Sequence, residues 1–78
     1  MNELSLKEVT QEHVIYSYRP EGRGMPGEIR MNFSDEEATL VSRSHPDNSN
    51  YYAFKAIDAV EKRVREKNYP LEFTQAWY

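Results

Sequence analysis

Between Asn50 and Asn68 the apolar residues recur with a helical period. Ala53, Ala56, Ile57, Val60 and Val64 fall within one stripe, with Lys55, Asp58, Lys62 and Glu66 opposite. That is the signature of a helix burying a single face. Such a stripe cannot form a core alone; it needs an apolar layer to close against. The flanking sequence supplies stop and start signals. Asp47, Asn48 or Ser49 can cap the first turn by offering a side-chain oxygen to an unpaired amide, and Asn68-Tyr69-Pro70 ends the helix. Asp58–Lys62 and Glu61–Arg65 are acid-before-base pairs one turn apart. Lys62, Arg63, Arg65 and Lys67 complement the dipole at the last turns.

The apolar layer is written in a period of two. From His13 to Arg19, Val14, Tyr16 and Tyr18 share one side, and His13, Ile15, Ser17 and Arg19 the other, as a strand requires. Pro20 stops it. Residues Pro20 to Gly27 hold three glycines and two prolines, which makes a loop tolerant of positive φ. Ile29, Met31 and Phe33 then point inward in a second strand, with Glu28, Arg30 and Asn32 outward. A third strand runs from Ala38 to Arg43, in which only one of the adjacent Leu40 and Val41 can face the core. Leu71, Phe73, Gln75 and Trp77 alternate with Glu72, Thr74, Ala76 and Tyr78 as a fourth strand, or form a tail packed on a partner.

The first twelve residues read two ways. Ser5-Leu6-Lys7-Glu8 fits a capping box, with Leu4 and Val9 placed as a hydrophobic staple, which gives a short helix from Leu6 to about Glu12. The same residues also suit an extended lead-in to the first strand. The expected architecture is therefore α+β. It has a three- to four-stranded, mainly antiparallel sheet (β-β-β-α-β, order 3-2-1-4), one long amphipathic helix on one face, and a possible short N-terminal helix. Residues 1–78 form one small domain, since a chain this short cannot divide into two cores.

Leu, Ile, Val and Phe supply only fifteen residues, but six Tyr and one Trp add burial, because each aromatic ring hides roughly 150–250 Å². A core this thin makes dimerisation a source of further burial. The absence of cysteine excludes a disulfide framework and thiolate zinc sites and suggests a cytoplasmic protein. No apolar run reaches the roughly 18–20 residues of a membrane span, and Met1-Asn2-Glu3 does not open a signal peptide. A net charge of −3 argues against a general polyanion binder.

Five features are candidate sites. The glycine-rich loop could expose amides to a phosphate between Arg19 and Arg23, although phosphate loops of known type lead into a helix rather than a strand. The sheet face away from the helix carries Arg19 and Arg30, joined by Arg43 if Leu40 points inward, and arginines on an open sheet can contact nucleic acid. His13 and His45 are too few for a metal site, and Ser44, His45 and Asp47 are too close in sequence for a triad. Asn48, Ser49 and Asn50 could hold an anion at the helix start. Finally, Tyr51 and Tyr52 project off the apolar stripe, and Tyr69, Trp77 and Tyr78 lie near the C-terminus, residue types enriched where proteins meet.

With residues 5–12 helical, the element order is similar to that of double-stranded-RNA-binding domains. The likeness is one of order alone and carries no residue match. Where those domains present clustered lysines at the start of the last helix, this chain has Asn50-Tyr51-Tyr52-Ala53 and a single Lys55, which removes the electrostatic drive the likeness implies. The expected function is a non-enzymatic protein-interaction module that needs no cofactor. It would associate with itself as a homodimer, or with a protein partner, through Tyr51, Tyr52, Tyr69, Trp77 and Tyr78. A nucleic-acid-binding domain using Arg19, Arg23, Arg30 and Arg43 is the alternative.

Overall fold

The computed structural model describes residues 1–45 and 50–77. Five strands, β1 (Asn2–Val9), β2 (His13–Pro20), β3 (Gly27–Asn32), β4 (Thr39–Ser42) and β5 (Glu72–Gln75), accompany one helix, α1 (Tyr51–Glu66). They form one antiparallel sheet in the order β4-β3-β2-β1-β5. The helix lies between β4 and β5 in sequence, and so carries the chain from one edge of the sheet to the other.

The N-terminal segment is a strand, not the short helix its capping box allows. Asn2 and Leu4 are buried while Glu3 is exposed, and pairing with β2 across the hairpin secures that alternation. Thr10 makes the turn: its Oγ1 accepts the Glu12 and His13 N–H groups, each at 3.1 Å. A local box satisfies two amides, whereas the hairpin pairs a whole strand and buries Leu4 to 1% exposure. The register shifts between Leu6 and Glu8, and beyond that bulge the alternation fades and Val9 is exposed.

This extra strand also corrects the expected order. β5 does not lie parallel beside β2; β1 stands between them, antiparallel to both. The helix-first likeness to double-stranded-RNA-binding domains goes with it.

The inward faces are those the alternation predicts. Val14, Tyr16, Tyr18, Ile29 and Met31 join Leu4 in the core, closed by Ala53, Ala56, Ala59 and Val60 of the helix, with Ile57 and Val64 half-buried at its margin. The core joins small helix alanines with bulky sheet tyrosines, so small residues on α1 leave room for large ones on the sheet. Each tyrosine tip then anchors a connection. The Tyr16 hydroxyl donates to the Pro70 carbonyl at 2.7 Å, after the helix. The Tyr18 oxygen accepts the Ser44 N–H at 3.1 Å, before it. Burial pushes the Tyr16 phenol pKa up, and the Arg63 guanidinium pulls partly against that.

Leu40 turns to the core while Val41 is exposed, at a register shift in the β3–β4 pair. Gly27 is required where it stands opposite Tyr18: a Cβ there would lie 2.3 Å from the tyrosine ring and 2.6 Å from the Ser44 nitrogen. The cap position of α1 is Asn50, in a left-handed conformation with no side-chain cap bond; the candidate caps Asp47, Asn48 and Ser49 lie outside the described residues. Lys67, also left-handed, closes the C-terminus, with its N–H and that of Asn68 turned back to the Val64 and Arg63 carbonyls. Glu61 accepts the Ala38 N–H at 2.9 Å, and the ion pair along the helix joins Arg63 to Glu66 at 3.7 Å.

Candidate functional site

Three aromatic residues, Tyr51 exposed and Tyr52 and Trp77 half-buried, converge at one end of the molecule, and a polar network explains how. Asn2, fully buried, donates through Nδ2 to the Tyr52 carbonyl at 3.0 Å and to the Gln75 side-chain oxygen at 3.1 Å. Gln75 in turn donates to the Lys55 carbonyl at 2.7 Å. Two side chains from β1 and β5 thus hold the first turns of α1, and the chain leaving β5 delivers Trp77 beside them.

Tyr51, Tyr52 and Trp77 form a three-ring cluster. Tyr51 meets Tyr52 at 5.9 Å and Trp77 at 5.8 Å, both nearly edge-to-face, and Tyr52 meets Trp77 at 5.8 Å. Each such pair contributes about 0.5–1.5 kcal/mol beyond its burial. The Lys55 ammonium stands 5.6 Å from both the Tyr51 and Trp77 ring centres, so a cation already rests against the cluster. The Tyr52 hydroxyl donates to Glu21 at 3.1 Å, and the Met1 amino group contacts the same carboxylate oxygen. Those hydrogen bonds, the amino group's foremost, hold the Glu21 carboxyl pKa below its ordinary value.

The surface extends beyond these three. Tyr51 is 46% exposed, and Phe54, one turn further along the helix, is 63% exposed. Phe54 is absent from the residues singled out in the sequence, although the same helical wheel places it off the apolar stripe, about 100° from its centre.

Tyr69 is not part of this cluster. It packs on Phe33 at 5.9 Å, beside the other end of α1. The strand β5 runs between Tyr69 and Trp77 and carries the chain from one end of α1 to the other, so nearness in sequence does not become nearness in space. Tyr78 lies outside the described residues.

The arginines do not converge either. Arg19 donates to the Gly24 carbonyl at 3.2 Å, and Arg30 contacts the Asn32 side chain at 3.1 Å and the His13 ring at 3.2 Å. Four residues of β2 separate their rows, about 13 Å. Arg23 and Arg43 are exposed on neighbouring segments. The register interleaves acids with them: Glu3 stands opposite Arg19, and the row Glu72–Ser5–Ser17–Glu28 crosses four strands. The glycine loop is also acidic at close range, since the Glu3 carboxylate lies against Gly22. His13 touches Glu8, and His45 pairs through its backbone with Met25. Among the described residues no group of three His, Asp or Glu side chains could hold a metal ion, and no helix is long and apolar enough to cross a membrane.

Compared with known proteins, the chain matches no family, no curated protein and no solved structure.

Proposed function

We propose that this chain is a protein-interaction domain that works by binding rather than catalysis and associates with itself through the surface of Tyr51, Tyr52, Phe54 and Trp77. The observation that carries the reading is the gathering of Tyr51, Tyr52 and Trp77, remote in sequence, at one end of a thinly cored domain, with Phe54 exposed one turn further along the helix. Rigid rings with few rotatable bonds lose little entropy on contact, which is why Tyr and Trp dominate interface energetics. Lys55 adds a cation 5.6 Å from the centres of two of these rings.

Sedimentation over a concentration series tests it. Trp77→Ala and Phe54→Ala should each weaken association by about tenfold or more, since an anchor truncation costs roughly 2 kcal/mol. Unchanged association in both variants would remove the reading.

The arginines of the outer sheet face support a second reading, nucleic-acid binding, against four glutamates on the same face. It requires retention that falls steeply with salt and is abolished by Arg30→Glu.

A further inference from the structure

We infer that the partner at this end of the molecule is a second copy of the chain, joined strand to strand along β5 about a two-fold axis at Thr74. This rests on the self-association proposed above and adds its geometry.

The two edges of the sheet are not equivalent. Both edge strands are four residues long, but the β4 edge is bulged, its register shifting where it pairs with β3, and bulges blunt an edge against further pairing. β5 pairs with β1 without any shift, carries neither Lys nor Pro, and among the described residues has no strand on its far side. The Leu6 N–H donates to the Leu71 carbonyl at 2.8 Å. By alternation the backbone groups of Leu71, Phe73 and Gln75 therefore face β1, and those of Glu72, Thr74 and Ala76 face outward.

A two-fold axis at Thr74 pairs these outward groups with themselves. Thr74 meets Thr74 of the second copy, and Glu72 meets Ala76, so no like charges stand opposite. The same register sets Leu71 against Trp77 at both ends, on the side of the sheet that bears the helix. Leu71 is 76% exposed, an aliphatic side chain with no cover in the single chain. Sliding the register by two residues in either direction drops a hydrogen-bonded pair and parts Leu71 from Trp77. A stable dimer needs about 800 Å² from each partner, roughly 15% of the 5158 Å² surface. A short edge cannot supply that by backbone alone, and Leu71 and the aromatic cluster provide the side-chain burial. An isologous contact of this kind closes on itself instead of polymerising.

Cross-linking tests the axis, because the chain has no cysteine of its own. A hydrogen-bonded antiparallel pair holds its Cα atoms about 5.5 Å apart, within disulfide range. On mild oxidation of the full chain, Thr74→Cys should form a disulfide dimer about tenfold faster than Val41→Cys on the β4 edge. Thr74→Pro removes an outward N–H without touching the β1 ladder, and should weaken dimerisation about tenfold with an unchanged far-ultraviolet dichroism spectrum. Equal cross-linking at both positions, or undiminished association of Thr74→Pro, overturns the strand pairing. If Trp77→Ala then still dissociates the dimer, the aromatic surface stands without the strand pairing. If no substitution alters association, both fall.

Discussion

Asn2 and Gln75 stand opposite each other in the β1–β5 ladder, and the Asn2 amide donates to the Gln75 side-chain oxygen at 3.1 Å while also holding the Tyr52 carbonyl. The pair ties an edge strand to the helix through polar groups placed where a core side chain would ordinarily be apolar. Its strength depends on both members, because a buried amide left without its partner costs about 1–3 kcal/mol.

Asn2→Ala should therefore destabilise the fold by about 1–3 kcal/mol and loosen β5 before the rest of the sheet. Denaturant unfolding gives the first quantity. Trp77, the only tryptophan, reports the second: its emission should shift to the red in native conditions. An unshifted spectrum would show that Trp77 is held by its neighbouring rings alone.

Gly27→Ala should be more damaging than its size suggests. The added carbon meets the Tyr18 ring and two backbone atoms, the Ser42 oxygen at 2.7 Å among them, so neither side can yield without moving a strand. A loss of about 1–3 kcal/mol is expected from such overpacking, and the double variant Gly27→Ala with Tyr18→Leu should recover part of it in thermal melts.

Alkaline stability should follow Tyr16. Its phenol pKa is raised in the folded chain, so the unfolded chain gives up the proton first, near pH 10. The stabilisation is complete below that value and is lost as pH climbs through the folded one. Tyr16→Phe should flatten the fall in melting temperature above about pH 10 while lowering the neutral-pH plateau, since the bond to Pro70 is gone. Arg63→Met should move the Tyr16 titration higher still, because the guanidinium favours the phenolate.

Acid should loosen the opposite end. The Glu21 carboxyl pKa is lowered by its bonds from Met1 and Tyr52, so its contribution is present above the ordinary carboxylate value and disappears as pH falls through the depressed one. Glu21→Gln should melt with a shallower acid limb than the parent chain; parallel limbs would dismiss the contact.

The helix and the β2 and β3 strands are legible in the sequence because each buries one face, and burial imposes a period. Val14, Tyr16 and Tyr18 could not alternate with His13, Ser17 and Arg19 and serve anything else. The first strand is not legible in the same way. Ser5 and Glu8 satisfy a local helix signal as well as Leu4 and Leu6 satisfy a strand, and only pairing with β2 decides between them. Strand order inherits that ambiguity, since it is β1 that displaces β5 from the side of β2. For the site, a helical wheel suffices to turn Tyr51, Tyr52 and Phe54 outward. That Trp77 joins them and Tyr69 does not depends on the direction of β5, which no local pattern states.

The crossing of α1 from one rim of the sheet to the other has a kinetic consequence. The β1-to-β4 segment can zip by successive hairpins, each closing a small loop. The last strand must wait, since residues 73 apart in sequence meet in the Asn2–Gln75 bond, and a loop that long is costly to close before the helix has docked. In the dilute monomer, amide exchange along Glu72–Gln75 should accordingly be the fastest among the strands, an order of assembly imposed by the path of the chain and not by the strength of any single contact.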